Sequence, residues 1–246
     1  MAAASYIICA TPRSGSTLLC DLLSQTGVAG HPNSFYRQES VVDFVAAWGI
    51  APGEGPEFER RYLDAAIVAG TGDTGTFGMR VMWPSMPFLL EQLARLFPDE
   101  TTDTGRLAAA FGTLVYIHLQ RKDRVAQAVS RAKAEQSGLW HRYADGSERE
   151  RVKEYRAPEY DGPQLEQFIA EAEAHEAQWH RWFGMIGVMP FELTYEELSA
   201  DPTTTLAKTL GALGQDPDIA ARVKVQSARL ADTTSRDWAA RFRSAR

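Results

Sequence analysis

Residues Tyr6 to Leu23 read YIICATPRSGSTLLCDLL: a short apolar run, a turn, and then leucines at helical spacing. The run Tyr6-Ile7-Ile8-Cys9-Ala10 predicts a buried strand, and Leu18, Leu19, Leu22 and Leu23 predict the inward stripe of a helix. Between them, Thr11-Pro12-Arg13-Ser14-Gly15-Ser16-Thr17 supplies one cation, one flexible glycine and several hydroxyls where a helix begins. The first amides of a helix have no partner within it, and the helix dipole adds partial positive charge, so such a turn suits an anion such as phosphate or sulfate. It is not a Walker A loop, because no lysine follows Gly15.

The strand-turn-helix pattern repeats along the chain. Phe77 to Trp83, Leu114 to Leu119 and Val188 to Leu193 predict further strands. Helices are predicted over about Val41 to Trp48, Glu57 to Ala69, Ser85 to Phe97, from Arg124 onward, over Gln164 to Phe183 and from Pro202 to Leu213. Asp123 and Asp201 stand as N-caps, the latter with Pro202 at the first helical position. Strands alternating with helices imply an α/β fold with a central parallel sheet flanked by helices on both faces. Ligands of such sheets bind beyond the carboxyl ends of the strands. There the loop around Arg13 and a second basic turn, Gln120-Arg121-Lys122-Asp123, can share one ligand. Ser137 to Pro163 is charged and shows no clear element, and Arg229 to Arg243 is a basic stretch containing Trp238 and Phe242.

Composition narrows the partners. A net charge of -6 argues against general binding to nucleic acid or anionic membranes, so an anionic ligand must be met by local basic residues. The two cysteines, Cys9 and Cys20, lie in a strand and a helix and behave as small buried hydrophobes. With no leader and no integral membrane segment in the sequence, they point to a reducing, cytoplasmic setting. No His/Cys/Asp set has metal spacing, so no metal is expected. His118 is expected in the core, and Trp179, Trp182 and Phe183 are expected to pack along a helix. Glu196 and Glu197 form no evident catalytic pair.

The core Arg13 to Leu19, RSGSTLL, resembles the phosphosulfate loop of sulfotransferases that use 3′-phosphoadenosine-5′-phosphosulfate (PAPS). Among these it is most similar to the bacterial carbohydrate sulfotransferases of the trehalose 2-sulfotransferase type. Further landmarks follow in order: Thr26-Gly-Val-Ala-Gly, Met82-Trp83, Gln127-Ala-Val-Ser130, Trp179-x-x-Trp-Phe, and Ala231-Asp232 with Ser235 and Trp238.

The resemblance implies a single sulfotransferase domain over residues 1–246 with a P-loop-like fold. It implies PAPS as sulfuryl donor, 3′-phosphoadenosine-5′-phosphate as product and a carbohydrate or glycolipid acceptor. A homodimer is compatible with it. By the same resemblance Arg13, Ser14, Gly15, Ser16 and Thr17 hold the phosphosulfate, Arg121 and Ser130 hold the 3′-phosphate, and Arg229 closes over it. Arg80 and Trp83 line the acceptor pocket. Where the family carries a glutamate as base, this chain has Gly30-His31-Pro32, and a neutral imidazole at His31 can take a hydroxyl proton equally well. Arg13 stands where many relatives have lysine; arginine is a poor proton donor, which implies charge stabilisation rather than acid catalysis.

Two other readings stay open at this stage. One is a P-loop kinase or nucleoside triphosphatase, disfavoured by the missing Gly-Lys-Ser/Thr and by the lack of an acidic residue ending the Leu114 to Leu119 strand. The other is a relative that binds nucleotide or glycan without chemistry. Acceptor choice is expected to lie in Ser34 to Arg37 and Ser137 to Pro163.

Overall fold

A computed structural model describes residues 5–143, 145–225 and 232–245. Among these the strands are β1 (Ser5–Ala10), β2 (Gly78–Met82), β3 (Leu114–Gln120), β4 (Leu139–Arg142), β5 (Glu148–Arg151) and β6 (Phe191–Thr194). The helices are α1 (Ser16–Gln25), α2 (Val41–Ala47), α3 (Pro56–Thr71), α4 (Met86–Leu96) and α5 (Asp103–Phe111) in the first half. The second half adds α6 (Arg124–Ser137), α7 (Gly162–Ile186), α8 (Tyr195–Ala200), α9 (Pro202–Ala212) and α10 (Thr233–Ser244).

Four strands form one parallel sheet in the order β2-β1-β3-β6. All six residues of β1 are buried, which is why its sequence is an unbroken apolar run rather than an alternation. On one face Ile7, Cys9, Met79, Val81 and Tyr116 pack beneath α3, α4, α5 and α7, through residues such as Leu63, Leu89, Leu107 and Trp179. On the other, Tyr6, Ile8, Ile117, Leu119 and Leu193 pack beneath α1, α8 and α9, through Leu19, Leu23, Leu198 and Leu206. The expected α/β sheet with helices on both faces is therefore what the chain builds.

Local signals explain the element ends. The Asp123 carboxylate accepts from the Ala126 amide at 3.0 Å and Asp201 from Thr204 at 2.9 Å, so both expected caps form. Glu196 and Glu197 also serve as ties. Glu196 accepts from the amides of Lys122 and Asp123, and Glu197 completes a capping box with Thr194. Cys9 and Cys20 are free and buried; burial pushes both thiols up, Cys20 to about 11. Among the described residues no helix is long and apolar enough to cross a membrane.

The structure departs from expectation in three places. The fourth sheet strand begins at Phe191 rather than Val188, because α7 continues to Ile186. The stretch Ser137 to Pro163 contains the antiparallel hairpin β4-β5, pairing Leu139 with Arg151 and His141 with Glu150. The basic C-terminal stretch includes α10, an amphipathic helix that buries Trp238, Ala239 and Phe242 against α6 and α7.

Candidate active site

The turn after β1 sits at the carboxyl edge of the sheet, and each of its first residues is tied to a different element. The Trp179 indole of α7 donates to the Ala10 carbonyl at 3.0 Å. The Gln127 amide of α6 donates to Thr11 Oγ1 at 3.0 Å and to the Pro12 carbonyl at 2.7 Å. Arg121, just past β3, donates to the Arg13 carbonyl at 3.0 Å. Arg13 itself has φ 64°, the one left-handed non-glycine among the described residues. Such a conformation is costly for a side-chain-bearing residue, and its surroundings must over-determine it. Gly15, at φ 88°, needs glycine twice over: a Cβ there would come within 2.5 Å of the Tyr195 ring. Helix α1 then starts with no side-chain cap and no acidic residue in its first turn, leaving its amides and dipole for an anion.

Positive charge accumulates around this turn. Arg13 donates from Nε to Ser130 Oγ at 3.0 Å and from its NH1 group to the Trp140 carbonyl at 2.8 Å. Arg121 stacks on Tyr195, 4.2 Å from the ring centre. Burial, and then the neighbouring Arg121 charge, bring Arg13 down to about 10. Burial likewise lowers Arg121, against the opposing pull of Tyr195, Asp123 and Glu196. Two partners in the cradle are left over: Ser14 Oγ and Arg121 Nε are buried and make no hydrogen bond. Buried polar atoms normally find partners. Orphan donors beside two guanidinium groups fit a doubly anionic ligand such as a nucleotide with separate 5′ and 3′ charges.

A third arginine reaches the same place from β2. Arg80 donates from Nε to Ser34 Oγ at 2.8 Å and from its NH1 group to Thr17 Oγ1 at 2.8 Å and Ser16 Oγ at 3.4 Å. The hairpin folds over the turn and closes it from the other side. His141 Nε2 lies 3.2 Å from Thr17 Oγ1 and 3.5 Å from Glu150 Oε2, while Arg149 reaches Asp21 of α1 at 2.5 Å.

The fold thus brings Arg13, Ser14, Gly15, Ser16, Thr17, Arg121, Ser130 and Arg80 to one edge of the sheet. His31 does not join them. Its amide bonds the Gly70 carbonyl at 2.8 Å and its ring packs on Gly72, in the turns before β2. That is the amino edge of the sheet: neighbouring Gly30 sits against Thr76 and Gly78, and Gly78 opens β2 opposite Tyr6. Four residue steps along β2 separate Gly78 from Met82, roughly 13 Å. From His31 the chain runs alongside β2, through the Asn33 bridge to Met79, and it is Ser34 that arrives at Arg80.

Trp83 is half-buried and meets Trp179 edge-to-face at 4.9 Å, a packing contact at the end of β2. Arg229 lies outside the described residues.

Folding also gathers His118, His180 and Glu192, a grouping no sequence spacing signalled. His118, however, is already engaged: its Nε2 is 2.6 Å from Glu176 and its Nδ1 3.2 Å from Gln120. It is a core residue, as its strand position suggested, and Trp179, Trp182 and Phe183 pack as expected. The site residues that sequence reasoning missed are Gln127, Tyr195, Ser34, His141 and Glu150. Gln127 stood inside a recognised landmark, and Ser34, His141 and Glu150 lay in the two stretches assigned to acceptor choice, though no local motif marked the hairpin pair.

A parallel sheet with an anion cradle at the carboxyl end of its central strand, reached by Arg13 after β1, Arg121 after β3 and Arg80 within β2, defines a P-loop-like α/β fold. The family model of the Stf0 sulphotransferases matches residues 5–245, and the chain belongs to that family; it is a sulfotransferase. It is 30% identical to a trehalose 2-sulfotransferase of Mycobacterium tuberculosis (strain Erdman), over 97% of this chain and 94% of that protein. It is 32% identical to a trehalose 2-sulfotransferase of Mycolicibacterium smegmatis, with the same coverage. Among solved structures, the sulfotransferase domain of the curacin biosynthetic pathway is 14% identical and covers 98% of this chain and 97% of that one, at a TM-score of 0.44.

Proposed function

We propose that the chain transfers a sulfuryl group from PAPS to a hydroxyl of a carbohydrate or glycolipid, acting as one catalytic domain. The observation that carries this reading is the arginine pair at the loop, Arg13 and Arg121, with the Arg121 guanidinium donating to the Arg13 backbone carbonyl at 3.0 Å and the orphan atoms Ser14 Oγ and Arg121 Nε beside them. One arginine stands at the helix N-terminus and the other past the next strand, so two separate anionic groups can be met at once. A donor with a 5′-phosphosulfate and a 3′-phosphate has that form. The acceptor class follows from the two trehalose 2-sulfotransferases to which the chain is similar over nearly its whole length.

PAPS, when bound, supplies the activated sulfuryl group. The chain's own residues orient it and stabilise charge. Arg13 and the Ser16 and Thr17 amides would stabilise the negative charge that develops on the nucleotide phosphate when the sulfuryl group leaves. Arg121 and Ser130 hold the 3′-phosphate, although Ser130 also braces Arg13 at 3.0 Å and so links the two anion sites. Arg80, fixed by Ser34 and Thr17, would add positive charge beside the transferring group.

Isothermal titration with 3′-phosphoadenosine-5′-phosphate against AMP, ADP and ATP tests the donor. Tight binding of the 3′-phosphorylated nucleotide alone is expected. A magnesium-dependent preference for ATP would overturn the reading in favour of a kinase.

A further inference from the structure

The hairpin that crosses the cradle carries the one imidazole among the described residues with a polar contact to the anion loop, His141 at 3.2 Å from Thr17 Oγ1. Arginine only donates, so Arg80 places a hydrogen on the Thr17 oxygen at 2.8 Å, and the hydroxyl's own hydrogen is free to point at His141 Nε2. With the ring proton on Nδ1, Nε2 is the proton-accepting nitrogen directed at the loop. Burial, and then the charges of Arg13, Arg80 and Arg149, depress the ring to about 3, so it is neutral in the resting protein. Behind it the β4-β5 register sets Glu150, whose Oε2 is 3.5 Å from the same nitrogen and whose Oε1 is 4.0 Å from Arg37. The charged groups facing the ring are therefore Arg13 from the loop, Arg80 from β2, and Arg149 and Glu150 from β5.

We propose that His141 is the catalytic base of the transfer and that Glu150 positions and compensates it. This rests on the sulfuryl-transfer reading above. The acceptor O–H bond breaks and its proton goes to His141 Nε2. The freed oxygen pair forms the new O–S bond, and the electrons of the breaking S–O bond leave with the nucleotide phosphate, beside Arg13. The imidazolium so formed lies against the Glu150 carboxylate. Two of the three arginines that depress the resting imidazole, Arg13 and Arg80, line the anion cradle. Once these two face a bound anion they bear less on the ring, and His141 becomes a stronger base only when the cradle is filled.

His141→Gln keeps an acceptor for the Thr17 hydroxyl but cannot carry the proton. It is expected to lower kcat by about 10²–10⁴-fold while affinity for 3′-phosphoadenosine-5′-phosphate stays near that of the parent. The retained affinity also reports that the cradle has folded. Glu150→Gln is expected to cost less than His141→Gln and to move the acidic limb of the kcat profile. A second readout needs no turnover: NMR titration of the His141 ring, with and without 3′-phosphoadenosine-5′-phosphate, is expected to show an upward shift in the complex. If the parent turns over PAPS and His141→Gln is equally fast, the base assignment is overturned while the sulfotransfer reading stands. If the ring titrates identically with and without nucleotide, the coupling to the cradle is overturned. If the parent neither binds the 3′-phosphorylated nucleotide nor consumes PAPS, the function reading falls and takes the base with it.

Discussion

The cradle and the hairpin that covers it meet at Arg13, Thr17 and Asp21 but are held by different forces. Residues 10–13 are pinned by buried or half-buried groups of α6, α7 and the β3 end, through bonds of 2.7 to 3.0 Å. Residues 139–151 are tied mainly by charged side chains near the surface, such as Arg149 to Asp21 and Glu150 to Arg37. Buried hydrogen bonds are expensive to break because their partners are left dry, whereas surface pairs trade readily with water. A cradle built the first way keeps its geometry, and a cover built the second way can be altered without unsettling the cradle beneath it.

The sharpest way to break this comparison is at their shared residue. Arg13→Ala removes the charge that the proposed mechanism sets at the leaving group and both ties of that side chain, to Ser130 and Trp140. Single-turnover kinetics are expected to show a loss of about 10²–10³-fold in rate, and a near-normal rate would remove Arg13 from the chemistry. Within the cradle alone, Gln127→Ala leaves Thr11 Oγ1 and the Pro12 carbonyl without their donor. Denaturant unfolding is expected to register a loss of about 1–3 kcal/mol, and an unchanged midpoint would mean that the loop is not pinned as described.

Acid sensitivity probes the boundary. His141 stays unprotonated in the folded chain down to about 3, whereas in the unfolded chain it takes a proton near 6.5. The unfolded state therefore binds more protons between those values, and stability falls as pH drops from 6.5 towards 3. His141→Gln is expected to flatten that part of the stability curve measured by urea unfolding. The smallest effect belongs to the hairpin's outer tie. Arg149→Ala is expected to cost no more than about 1 kcal/mol in the same assay, and a loss as large as that of Gln127→Ala would erase the distinction between the two regions.

Legibility followed the same divide. The strand-loop-helix at Tyr6 to Leu23 was readable because its signals are local: an apolar run, a turn with glycine at its left-handed position, and leucines at helical spacing. Arg121 was readable for the same reason, as the basic end of a clear strand capped by Asp123. The hairpin was not, since Leu139 to Arg151 has little apolar alternation and acquires its conformation from contacts with α1 and the loop. His31 misled for a further reason. Closeness in sequence to the cradle suggested closeness in space, but Gly30 fits tightly between Gly70 and Thr76 and seats the histidine at the opposite edge of the sheet.

Local chemistry, then, was sufficient to specify a parallel α/β sheet, an anion loop at its carboxyl edge and a second arginine nearby, because hydrophobic period, capping and turn geometry act over a few residues. Which side chains complete that loop was decided only by tertiary packing. Gln127, Arg80, Ser34, Tyr195 and His141 come from five separate segments, and they converge because the sheet order and the burial of its two faces leave each strand end and helix start a single place to lie.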